Sequence, residues 1–447
     1  MRASNQVAPF GGLETLKQRF DAATEVAGPL CLGRINRIVG LNVDVIGLEA
    51  AIGDGVLIHR SGGAPLDAEV VAINDRGLVC MPLGDLTGVR AGAKVEATGK
   101  PMTIKVGAQL LGRVLDGLGE PIDGGPRLDG CESVTLDGIP PHPLRRSSVN
   151  RQLPLGVRVL DTLTPCGRGQ RMGIFAGSGV GKSTLLSMIA RGSEAPVSVI
   201  ALIGERGREV REFIENDLGP EGLARSVVVV ATSDQPALVR LRAAFTATRI
   251  AEWFRDQGID VVLMMDSLTR FAMAQREVGL SAGEPPATRG YPPSVFSLLP
   301  KLLERAGAGE TGSITGLYTV LVEGDDMNEP IGDAARSILD GHIVLSRKLA
   351  SAGHYPCVEV LDSVSRVVNA ITTPEQREAS IELRRLLAAY RDAKDLIEIG
   401  AYVPGTNPVV DRATALAPAI EIFLRQSTDD LTPIDISWAA LAQVVGA

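Results

Sequence analysis

The residues best suited to chemistry lie in Ala176–Ser183, which reads AGSGVGKS. Gly177, Gly179 and Gly181 let a loop turn its backbone N–H groups onto phosphate oxygens at a helix N-terminus. Ser178 and Val180 stand between those glycines, and Thr184 extends the cradle into the next helical turn. Lys182 carries a cation for the β- and γ-phosphates, and the Ser183 hydroxyl is a ligand for Mg²⁺. Ala176 occupies the place of the usual first glycine. A second signal is DVVLMMD, which delivers Asp266 at the end of an apolar run and so supplies a carboxylate for Mg²⁺ through water. A third is GERGRE, where Glu205 is suited to polarising an attacking water and Arg206 or Arg270 to holding a terminal phosphate. Read alone, GERGRE is equally a salt-bridged loop. In HYPCVEVLDSVSR, Tyr355 offers an aromatic face to a base, whereas Arg366 by itself reads as a surface arginine.

These groups need a sheet to bring them together. From Gln170 onward, MGIFA, VSVIALIG, VVVVA and DVVLMMD alternate with helical stretches after Lys182, from about Glu209, and from about Pro236 to Arg255. Short apolar strands alternating with helices predict βαβ units and a parallel sheet covered on both faces. Ligands bind such sheets at the carboxyl ends of the strands, where Glu205 and Asp266 fall. Between Gly28 and Thr98 the runs GRINRIVG, VDVIGLEA, GVLIHR, AEVVAIN, GLVCMPLG and KVEATG predict a small β-barrel or sandwich. We therefore expect an N-terminal helix within 1–24, a β-barrel over 25–99 and an α/β domain over 100–372 whose first part, 100–168, is a connector. A helical domain follows over 373–447. Thr373, Pro374 and Gln376 form the signature of a capped helix start. Leu13, Leu16 and Phe20 mark one apolar helix face, suited to its own domain or to a partner.

Composition narrows the classes. The 447 residues carry a net charge of −8, and there is no Phe, Tyr or Trp between Asp21 and Arg171. An acidic chain whose candidate barrel lacks stacking rings is a poor nucleic-acid binder. No run approaches the length of a spanning helix, and the N-terminus has no secretory signal pattern. The five cysteines are scattered singly, the pattern of reduced thiols in a cytoplasmic protein.

In the longer runs LLGRVLDGLGEPIDG, LPLGVRVLDTLTPCGRGQRMGIFAGSGVGKSTLL, ALIGERGREVREFI, DSLTRFAMAQREVGLSAGEPPATRGYPPSVFSLLPKLLERAG, GDDMNEPIGDAARSILDGHIVLSRKLA and GAYVPGTNP, the chain resembles the rotary-ATPase family. Within it, the chain looks like the flagellum-specific / type III secretion export ATPases. That resemblance implies a homohexameric ring built from an N-terminal β-barrel, a RecA-like P-loop core and a C-terminal helical domain. It also implies ATP/ADP and Mg²⁺ as cofactors. Carried over, Lys182 and Ser183 bind phosphate and Mg²⁺, Glu205 is the catalytic base, Asp266 the metal-site acid, and Arg206 and Arg270 the γ-phosphate arginines. Arg366 becomes an arginine finger reaching a neighbouring subunit, and Tyr355 and Phe423 become walls of the adenine pocket. The implied partners are a stator-like regulatory protein at the N-terminus, a central stalk-like protein, the export gate and chaperone–substrate complexes, at the cytoplasmic face of a membrane apparatus. Pro356, Cys357, Val358 and Glu359 depart from the family's usual Pro-Ala-Ile-Asp. Besides flagellar export, the readings weighed are an injectisome ATPase, a rotary synthase catalytic subunit and a hexameric RNA translocase. The mixed-sign stretch EQREASIELRRLLAAYRDAKD argues against the synthase subunit, which carries an acidic block there.

Overall fold

The computed structural model describes residues 32–177, 179–322 and 329–446. The expected helix over Leu13–Thr24 and the side chain of Ser178 lie outside the described residues. The chain forms two compact units, Met1–Lys100 and Pro101–Ala447.

In the first unit six short strands close into a barrel. They are β1 (Leu32–Val39), β2 (Asn42–Ile46), β3 (Asp54–Ile58), β4 (Leu66–Asn74), β5 (Gly77–Pro82) and β6 (Lys94–Pro101), in the order β1-β2-β5-β4-β3-β6. Alternation builds this barrel: Val43 and Val45 of β2, Val56 and Ile58 of β3 and Val95 of β6 point inward and are buried. Closure leaves no strand edge unpaired.

The second unit opens with a two-stranded ribbon of β7 (Thr103–Val106) and β9 (Glu132–Thr135). Between these, β8 (Val114–Asp116) joins the main sheet as its edge, parallel to β12 (Ser226–Ala231). The stretch expected to be only a connector thus contributes a strand and, further on, α1 (Arg158–Leu163). The other parallel strands are β10 (Arg171–Ala176), β11 (Val197–Ile203), β13 (Asp260–Asp266), β15 (Ser313–Leu321) and β16 (Gly341–Val344). They are ordered β16-β10-β15-β13-β11-β12-β8, with β14 (Gly307–Ala308) and β17 (Val364–Ser365) added antiparallel at β15 and β16. Every residue of β11 and β12 is buried, the mark of strands covered on both faces. The covering helices include α2 (Lys182–Gly192), α5 (Ala237–Asp256) and α6 (Leu268–Ser281). A RecA-like αβα core results.

Past Thr372 come three long helices, Pro374–Glu398, Pro408–Leu424 and Ile434–Val445. The first starts at a capping box in which Thr373 Oγ1 accepts from the Gln376 N–H and Gln376 Oε1 accepts from the Thr373 N–H. Leu383, Leu386, Trp438 and Leu441 share one hydrophobic core with Leu160 of α1 and with Leu185 and Ile189 of α2. The C-terminal helices are therefore packed on the α/β core within a single unit, because their apolar faces have no other core to fill.

Candidate active site

Three strand ends converge. The loop after β10 reaches α2 through Gly179 and Gly181, both at positive φ (75° and 84°), a conformation that glycine adopts without steric cost. Among the described residues no side chain caps the start of α2, so its first N–H groups stay available to an anion. Lys182 projects from this turn, and its Nζ lies 2.5 Å from Asp266 Oδ1 at the end of β13 and 3.5 Å from Glu205 Oε1 after β11. Lys182, Asp266 and Glu205 are thus one cluster, in which an anion placed at the loop would compete with the two carboxylates for the ammonium.

The electrostatics follow from burial and charge. Burial lowers the tendency of Lys182 to stay charged, but Asp266 and Glu205 outweigh it and hold its pKa above the ordinary value. Burial raises the Glu205 pKa; Lys182 counters that shift, and Asp266 adds to it. A carboxylate displaced upward is a better proton acceptor near neutral pH than an ordinary glutamate.

Thr319, in the middle of the sheet on β15, was not singled out from sequence. It is fully buried, and its Oγ1 donates to Asp266 Oδ1 at 2.8 Å. That bond fixes the orientation of the carboxylate. The run SITGLYTVL also carries Ser313, Thr315 and Tyr318, so nothing in the sequence marks Thr319 among its hydroxyl residues. Thr319→Val keeps the volume and removes the donor. Because loss of such supporting bonds costs about 10–100-fold in metal affinity, the variant is expected to need at least about tenfold more Mg²⁺ for half-maximal hydrolysis. A titration of activity against Mg²⁺ with an unmoved midpoint contradicts this role.

The arginines separate. Arg270 lies on α6, its aliphatic stem packed on Gly204: a Cβ built there would sit 3.1 Å from Arg270 Cβ. Among the described residues its buried Nε has no hydrogen-bond partner, so the guanidinium retains a donor for an oxyanion. Arg206 faces solvent. Its side chain is 82% exposed and pairs with Glu209 at 3.7 Å, because it sits at the solvent face of the helix that starts at Gly207. Arg366 is exposed just beyond β17 and donates through Nη2 to the Arg336 carbonyl.

The two aromatic expectations also part. Tyr355 is half exposed, and a Cβ at Gly181 would lie 3.4 Å from its ring, so the ring borders the phosphate loop. Phe423 is 3% exposed, lies in the shared core and has the Arg158 guanidinium 5.9 Å from its centroid. Helical spacing puts this ring into the core, whereas Tyr355 presents an open face. Cys357, buried, donates its thiol to the Val180 carbonyl and ties the Tyr355 segment to the loop.

For Mg²⁺ the donor chemistry fits. Ser183 and Asp266 supply hydroxyl and carboxylate oxygens, the hard ligands that this ion prefers beside phosphate and water. Among the described residues no group of three or more His, Cys, Asp or Glu gathers as a separate metal site.

A glycine-rich loop on a helix start, a lysine shared with two carboxylates and a RecA-like sheet together define a P-loop ATPase. Residues 156–365 match the ATP synthase alpha/beta family, nucleotide-binding domain, and residues 372–443 match the T3SS EscN ATPase C-terminal domain. The flagellum-specific ATP synthase of Bacillus subtilis is 53% identical, covering 93% of this chain and 95% of the relative. The type 3 secretion system ATPase of Xanthomonas euvesicatoria is 49% identical over 97% and 98%. The assembled ATPase EscN of the enteropathogenic E. coli type III secretion system superposes with a TM-score of 0.88 at 47% identity, covering 92% of this chain and all of that one. The chain belongs to the ATP synthase alpha/beta family, in its branch of flagellum-specific and type III secretion ATPases.

Proposed function

We propose that this chain forms a homohexameric ring that hydrolyses Mg-ATP to energise protein export through a flagellar type III apparatus. The observation that carries the reading is the Lys182–Asp266–Glu205 cluster, gathered from the carboxyl ends of β10, β13 and β11. In it, Lys182 and the free N–H groups of α2 bind the phosphates, Glu205 orients a water and takes its proton, and Arg270 holds the γ-phosphate. Ser183 and Asp266 would hold Mg²⁺, which would supply charge neutralisation at the phosphates. Tyr355 stacks on the adenine.

A ring is supported by the relative solved as an assembled ATPase, and a stalk partner by the same protein solved in complex with its central stalk EscO. Arg366, exposed and apart from its own phosphate loop, suits a finger acting on the neighbouring subunit. No described helix is long and apolar enough to cross a membrane, which agrees with a place at the cytoplasmic face of the apparatus. The flagellar assignment rests on the 53% identity to the Bacillus protein, and the 49% identity to the Xanthomonas protein supports an injectisome role as the second reading. Deleting the gene in the source bacterium distinguishes them. The flagellar reading expects extracellular hook and filament proteins to vanish and to return with the wild-type gene but not with Lys182→Ala. Normal flagellar secretion in the deletion strain contradicts it.

A further inference from the structure

The segment that carries Arg366 is gripped from the base of the same strand that feeds the phosphate loop. Gln170, directly ahead of β10, is fully buried, and every polar atom of its side chain is used. Its Oε1 accepts the Gly167 N–H at 2.8 Å. Its Nε2 donates to the Asp340 carbonyl at 3.0 Å and to Ser365 Oγ at 3.1 Å. The same Asp340 carbonyl accepts the Arg366 N–H at 3.0 Å. The Asp340 carboxylate is held by Arg171 through Nε at 3.0 Å, Nη2 at 3.2 Å and the backbone N–H at 3.1 Å. At Gly341 the two strands approach so closely that a Cβ would meet the Val364 carbonyl at 2.5 Å. Ser365 and Arg366 therefore have little freedom relative to the sheet.

Resting on the reading of Arg366 as a finger for the next subunit, we propose that Gln170, with the Arg171–Asp340 pair, is a positioning residue. It sets where Arg366 points and does not serve the chain's own nucleotide. A guanidinium that stabilises transition-state charge is sensitive to placement, and a displacement of about 1 Å costs on the order of 10²-fold in rate. A buried amide with all its bonds made is a rigid anchor for that purpose.

The test uses the full chain in assembled rings. Gln170→Leu keeps the bulk and removes all three bonds; Ser365→Ala removes only the hydroxyl that the amide holds. Gln170→Leu is expected to lower kcat by about 10–100-fold and Ser365→Ala by several-fold, with KM for ATP within about threefold of wild type. Mixed rings give the distinguishing readout. Either variant should gain activity beyond the sum of the components when mixed with Lys182→Ala, whose finger is intact, and should gain none with Arg366→Ala. A tenfold rise in KM with kcat unchanged overturns the proposal, since it would place the effect on the chain's own loop through β10. So does absence of gain with Lys182→Ala while an Arg366→Ala and Lys182→Ala mixture does gain; there the finger reading stands and the anchor falls. If that control mixture also stays inactive in rings shown to be mixed, the finger reading and the anchor fall together.

Discussion

Arg366→Ala is expected to bind ATP with near wild-type affinity, to assemble, and to hydrolyse about 10³–10⁵-fold more slowly, the range seen when a finger arginine is lost from a phosphoryl-transfer site. The physical reason is that charge grows on the γ-phosphate oxygens in the transition state, and a fixed cation is worth more there than in the ground state. Nothing in the fold of the single chain needs this guanidinium: it is exposed and makes one side-chain bond, to the Arg336 carbonyl. Loss of stability is therefore expected to be small, within the range of surface substitutions. Steady-state hydrolysis beside nucleotide-binding titrations checks both halves. A fall of only a few-fold returns Arg366 to a surface role.

Glu205→Gln carries the other large effect. The amide keeps the size of the side chain near Lys182 but accepts no proton, so turnover is expected to drop at least about 10²-fold while ATP binding persists. Removing one carboxylate from the 3.5 Å contact leaves Lys182 paired with Asp266 alone. The ammonium is then freer to meet phosphate, and nucleotide affinity should stay equal or rise. Single-turnover hydrolysis beside equilibrium binding measures the two quantities. A kcat near wild type would remove Glu205 from the role of base.

Much of this site was legible because its parts carry local signatures. The phosphate loop is spelled out by glycines at positive φ ahead of a lysine, and Glu205 and Asp266 are marked by their place after apolar strands. The barrel was legible for the same kind of reason, since six β-type runs correspond to six strands whose alternate residues face inward. Other parts had no local signal. β15, the strand beside the phosphate-loop strand, breaks the usual pattern with Gly316, where a Cβ would strike the Tyr318 ring at 2.5 Å. β8 is only three residues inside a glycine-rich stretch, too short for any periodicity to show. The side-chain directions of Arg206 and Phe423 depend on packing between distant segments, which motif position does not carry. The grip of Gln170 on the Arg366 segment joins residues 195 apart in the chain, a relation that only the fold reveals.

The central claim is that the site on one chain is incomplete until a second copy supplies Arg366. Hydrolysis rate measured against protein concentration, with the mass of the species followed by sedimentation in the same buffer, tests it most directly. Activity per chain is expected to rise steeply as rings form, and the monomer fraction to turn over at a rate close to that of assembled Arg366→Ala. Monomers hydrolysing ATP at the full rate per chain of the ring would contradict it.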